Sequence, residues 1–83
     1  MLEMQRYFFD VFNGVFERVD LVGQELADEA AARDLALQTL ADIAHEAIPR
    51  GGEALITVRV RRDGVPIYSA SLALADQWMR LDS

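Results

Sequence analysis

Arg6-Tyr7-Phe8-Phe9-Asp10-Val11-Phe12-Asn13-Gly14 is an aromatic, β-branched stretch closed by Asn-Gly. Asn-Gly suits the left-handed positions of a tight hairpin turn. A strand from Arg6 to Phe12 is therefore expected to reverse at Asn13-Gly14 into a second strand, Val15 to Val19. Alternation puts Tyr7, Phe9 and Val11 on one face and Phe8, Asp10 and Phe12 on the other. The face without the carboxylate is the one expected in the core. Asp20 to Glu25 reads as a loop, with Gly23 at a positive-φ position.

Downstream, Asp28 to Ile48 carries the periodicity of one helix. Asp28 or a neighbouring acid can accept from the free N–H groups of its first turn. At 100° per residue, Ala36, Leu37, Leu40, Ile43, Ala44 and Ala47 share a stripe, and Asp34, Gln38, Asp42, His45 and Glu46 oppose it. Leu35 falls outside the stripe and is expected to be exposed. Pro49 and Gly51-Gly52 end the helix.

Ala54 to Arg62 alternates again, Ile56, Val58 and Val60 against Leu55, Thr57, Arg59 and Arg61. Asp63-Gly64 turns the chain into a fourth strand, Val65 to Leu74. A two-residue loop would pair Val58 with Ser69 and set hydroxyls among core residues. A three-residue loop, Arg62-Asp63-Gly64, would pair Val58 with Tyr68 and Ile56 with Ala70, keeping that face apolar, and is the register expected. Pro66 suits an outward or bulged position near a strand end.

The resulting α+β order is β-β-α-β-β, a four-stranded antiparallel sheet with one helix packed on one face. Strand one is expected beside strand four. Residues 1–5 read as an N-terminal extension, 6–75 as a single domain and 76–83 as a C-terminal tail.

Eighty-three residues make one domain with a thin core, for which self-association is a common remedy. The net charge of −6 argues against nucleic acid and anionic membranes, since phosphates call for surplus cations. All eight basic residues are arginine, and there is no cysteine for thiol chemistry or zinc. Neither a leader-like start nor a run of ~20 apolar residues is visible, so a cytoplasmic protein is expected.

Arg6-Tyr7-Phe8-Phe9-Asp10-Val11, Asn13-Gly14, Asp20-x-x-Gly23-x-Glu25-Leu26, the alanine-rich helix and Asp63-Gly64 with Pro66 together carry a resemblance. The chain resembles a family of short bacterial proteins of unknown function that open with an Arg-Tyr-Phe-Phe-Asp signature. The likeness runs from Met4 almost to the end. It implies that Met1 to Glu3 are an extension, and it brings no catalytic residue. Leu35 departs from the family's usual polar residue, which implies an exposed or interfacial apolar spot. A small sheet under one helix also looks like the antitoxin domain of HicB-type toxin–antitoxin pairs, in shape alone.

His45-Glu46 lacks the second histidine of a zinc-protease helix, because Pro49 stands in its place. Asp28, Glu29, Asp34, Asp42 and Glu46 spread around one helix rather than converging as hard-metal ligands do. Asp10, alone among aromatics, is a functional buried acid, a partner contact, or one half of a cross-strand pair with Arg18 or a neighbouring arginine. No serine or glycine pattern marks a nucleophile or a phosphate loop. No enzyme activity, cofactor or metal is expected.

Phe8, Leu55 and Ile67 fall on the face the helix leaves bare, and Leu35 and Trp78 add apolar surface. Trp78 either folds back over the sheet edge or anchors an interface. These five residues are the candidate contact surface of a homodimeric, non-catalytic interaction module, antitoxin-like or regulatory, with a basic protein as a further partner. The alternative is an RNA-binding sheet face using Arg59, Arg61 and Phe8.

Overall fold

The computed structural model describes residues 3–14 and 16–80. Met1, Leu2, the expected strand start at Val15 and the last three tail positions lie outside the described residues. Along the chain come β1 (Gln5–Asn13), β2 (Phe16–Arg18), β3 (Gln24–Leu26), α1 (Glu29–Ala47), a 3-10 turn (Ile48–Arg50), β4 (Ala54–Arg62) and β5 (Val65–Leu74). The architecture is α+β, one helix on an antiparallel sheet. The sheet runs β2-β1-β4-β5, and β3 also pairs with β1. It thus has one more strand than expected, since Gln24 to Leu26 is paired rather than looped.

Two expectations about connectivity are corrected. Strand one lies beside the third long segment, β4, and not beside the last: Phe9 faces Val60 and Val11 faces Val58. Packing the apolar side of β1 against the Ile56-Val58-Val60 side of β4 puts Tyr7, Val11, Ile56, Val58 and Val60 in one buried cluster. The first turn is also displaced. Asn13 is a strand residue paired with Phe16, leaving Gly14 at φ +64 to begin the reversal.

The β4–β5 hairpin follows neither loop in simple form. Arg62 pairs with Val65 across a two-residue turn, in which Asp63 and Gly64 both have positive φ, 54° and 76°. A bulge then intervenes, with Arg61 opposite Pro66 and Val60 opposite Tyr68, so Ile67 is the extra residue. Beyond it Val58 faces Ala70 and Ile56 faces Leu72. The expected pairings of Val58 with Tyr68 and Ile56 with Ala70 are therefore off by two positions. The face they required is nonetheless kept, because one inserted residue reverses the alternation just as a longer loop would. Pro66 sits at this irregularity, where its missing N–H costs no regular ladder bond.

Asp28 starts the helix, its Oδ1 accepting from the Ala31 N–H at 2.8 Å. Ala32, Ala36, Leu40 and Ala44, one turn apart, form the buried centre of its stripe. Small alanines let the helix come close to the sheet, and Ile43 and Ala47 pack alongside. Leu37 departs from the expected stripe and is exposed. It follows Ala36 by one residue, so it points about 100° away from the sheet contact. Leu35 departs the other way: it is half-buried, lining a groove with Phe9 and Val11 of β1.

Candidate functional site

The sheet face away from the helix carries Phe8, Asp10 and Phe12 on β1 beside Leu55, Thr57, Arg59 and Arg61 on β4. Cross-strand pairs share a face, and Asp10 stands opposite Arg59 with Phe12 opposite Thr57. Asp10 is only 3% exposed although no helix covers it. Arg61 closes over it diagonally, with Nε 2.6 Å from Oδ2 and Nη2 3.0 Å from Oδ1. The Asp20 N–H donates to Asp10 Oδ1 at 3.0 Å, and Arg61 Nη2 donates to the Asp20 carbonyl at 2.9 Å. Asp10 is thus paired with Arg61; the expected alternative, Arg18, lies opposite Val11 on the helix side.

Asp20, in the segment whose sequence reads as a loop, holds this edge together. Its carboxylate accepts the Phe9 N–H at 3.0 Å and the N–H groups of Val22 and Gly23, both at 3.0 Å. It therefore supplies to β1 the acceptor that a continuous neighbouring strand would have offered. The Asp20-x-x-Gly23 spacing was the available signal, since an aspartate commonly bonds backbone two or three residues on. Gly23, at φ +74, has no room for a side chain: a Cβ would lie 2.9 Å from the Phe8 ring and 2.9 Å from Arg6 Cγ.

The electrostatics follow from these contacts. Hydrogen bonds from Arg61 hold the Asp10 carboxyl below its usual range, against burial, helped by the Asp20 N–H and the charges of Arg61 and Arg59. For Asp20, burial is the largest influence and pushes upward. The N–H groups of Gly23, Phe9 and Val22, with Arg61 nearby, together outweigh it and leave the group lowered. Arg61 is raised in turn, chiefly by Asp10. This is a satisfied structural network: among the described residues no buried side-chain polar atom lacks a partner.

The residues of the RNA alternative do meet. Arg61 lies over the Phe8 ring at 5.1 Å and Arg59 over Phe12 at 4.6 Å. One face of each ring is therefore covered by a guanidinium, and Arg61 is already neutralised by Asp10.

The five candidate contact residues are not brought together. Leu55 is 55% exposed on the bare face, near Phe16 and Leu74. Phe8 is half-buried under Arg61 and against Gly23. Ile67 does not share that face: as the bulge residue it packs against the core cluster. Leu35 lines a groove of about 420 Å³ between the helix and the β1 side of the sheet, with Phe9, Val11, Val19 and Thr39. Trp78 does not fold back over the sheet edge; it is 84% exposed, with Arg80 stacked on it at 5.2 Å. His45, Glu46, Asp34 and Asp42 are exposed on the helix. Asp42 accepts from Gln38 at 2.9 Å, and Glu29 pairs with Arg62 at 3.0 Å. No helix among the described residues is long and apolar enough to cross a membrane.

One helix laid over one face of an interrupted antiparallel sheet defines a small α+β domain. The chain belongs to the family described as Domain of unknown function (DUF6894), which matches residues 6–73 and so begins at the first residue of the Arg-Tyr-Phe-Phe-Asp run. No curated protein and no solved structure matches the chain.

Proposed function

We propose that this chain is a non-catalytic protein-interaction module that forms a homodimer by pairing β5 with β5 of a second copy. The observation that carries this reading is the character of the β5 edge. From Tyr68 to Leu74, Tyr-Ser-Ala-Ser-Leu-Ala-Leu, it holds no charge and no proline. Such an edge is a template for a further strand, and folded proteins normally blunt it.

The hydrogen-bond phase gives the residues concerned. The Leu55 carbonyl accepts from the Gly14 N–H, so odd residues of β4 address β1 and even ones address β5. By the β4–β5 register, Ser69, Ser71 and Ala73 then turn their backbone N–H and C=O outward, and all three are exposed. A twofold axis between two antiparallel edges must stand perpendicular to the sheet. Paired residues then share a face, so the axis passes through a residue; placed at the middle of β5 it falls at Ser69 or Ala70, and both helices lie on the same side. Tyr68 and Leu72 would extend the core across the junction. The exposed acids Asp34, Asp42 and Glu46 leave the helix suited to a basic protein partner, in the antitoxin-like or regulatory sense.

Size-exclusion chromatography with light scattering tests the reading. A mass of twice 9.3 kDa at tens of micromolar is expected, and a 9.3 kDa species overturns it. Ser69→Pro, which removes an outward N–H without touching the β4 ladder, should give a folded monomer. Fluorescence anisotropy with short RNA at low salt should stay flat; a saturable rise would favour the Arg59, Arg61 and Phe8 alternative.

A further inference from the structure

Residues 75–80 continue from β5 without regular structure, and all are exposed. Their departure is anchored, because Asp76 accepts the Gly52 N–H and lies against Gly51. Past that anchor, Trp78 is 84% and Met79 83% exposed. The molecule is 65 Å long, with a radius of gyration of 16.0 Å against about 12 Å for a compact chain of this length. A ten-residue strand spans only about 33 Å, so part of that length lies in segments that leave the body.

Resting on the β5 homodimer reading, we propose that this tail is the second half of the interface: Trp78 and Met79 of each copy pack on the end of the other copy's β4–β5 hairpin. The geometry follows from the pairing. With Ala70 opposite Ala70, Leu74 stands opposite Pro66 of the second copy, and the residues after it run past the Asp63-Gly64 turn. Centring on Ser69 carries the tail there as well. The apolar surface waiting at that end is Val65 and Pro66, both exposed, with the half-buried Ile67 packed inward beside them. Asp63 offers its carboxylate to Arg80. An anchor at Asp76 keeps Trp78 off its own body and so available in trans.

Area gives a second reason. Stable interfaces bury about 1,200–2,000 Å² in total, and one pair of edge strands with small side chains falls short of that. Two tryptophans at about 150–250 Å² each supply much of the remainder.

Trp78 is the only tryptophan, so its emission reports this contact directly. The test is emission and acrylamide quenching of the full chain across a dilution series, alongside light scattering, with the Ser69→Pro variant as monomer control. Expected are a blue-shifted, protected indole in the dimer and a solvated one both on dilution and in Ser69→Pro. Trp78→Ala should weaken dimerisation at least tenfold while leaving the circular dichroism of the monomer unchanged. A dimer whose indole is fully quenchable, or an unchanged dissociation constant in Trp78→Ala, overturns the tail contact and leaves the β5 pairing standing. A monomer throughout overturns both.

Discussion

The two edges of this sheet are built on opposite plans. On the β1 side the neighbouring strand is broken into β2 and β3, three residues each, and the residues between them are bound by Asp20 and Arg61. On the other side β5 runs ten residues, and past its bulge nothing interrupts it. A broken, charged edge cannot accept another strand in register; an unbroken, uncharged one can. The contrast teaches that polar investment in a small domain need not mark chemistry. The buried Asp10 closes one edge, and on the proposed reading the other is the one that pairs with a second copy.

The largest test of that contrast is Arg61→Ala. It strands Asp10 as a buried charge, and a loss of about 3 kcal/mol is expected in urea denaturation. That is the low end for a buried pair broken on one side, because the Arg61 side chain keeps 21% of its surface exposed. A loss below about 1 kcal/mol, the scale of an exposed pair, would show that the network is surface decoration.

Glycine substitutions compare the edges at smaller amplitude. Gly23 and Gly64 both have positive φ, but a Cβ at Gly23 meets Phe8 and Arg6 while one at Gly64 meets nothing within 4 Å. Gly64→Ala should cost about 1–2 kcal/mol, the backbone penalty alone. Gly23→Ala should cost more, by about 1 kcal/mol for the displaced packing. Equal losses by thermal unfolding would mean that the β1-side loop is not tightly seated.

Acid gives the smallest and most specific readout. Asp10 and Asp20 are both lowered in the folded state, so the stability they contribute is complete above their ordinary pKa of about 3.9 and is lost as pH falls through their lower folded values. Denaturation midpoints should therefore decline below about pH 4, and less steeply in Arg61→Ala, which has already forfeited the Asp10 share. Identical acid slopes in the two proteins would detach the titration from this edge. Dimer mass, read in the same series, should be insensitive to Arg61→Ala wherever the variant remains folded.

Local signals in the sequence determined the order of long elements, the faces of β1 and β4, the Asp28 cap and the left-handed glycines at 23 and 64. Each of these depends on one residue's backbone preference or on a two-residue period, which needs no knowledge of distant chain. Tertiary structure alone decided that β1 lies beside β4, that Ile67 is a bulge residue turned to the core, and that Leu35 is half-covered while Leu37 is not. It also decided that Asp20 stands in for a strand against Phe9 and that Asp10 chose Arg61, fifty-one positions away, over Arg18. Such outcomes depend on which segments close the core together, and alternation in any single strand is equally satisfied by several neighbours.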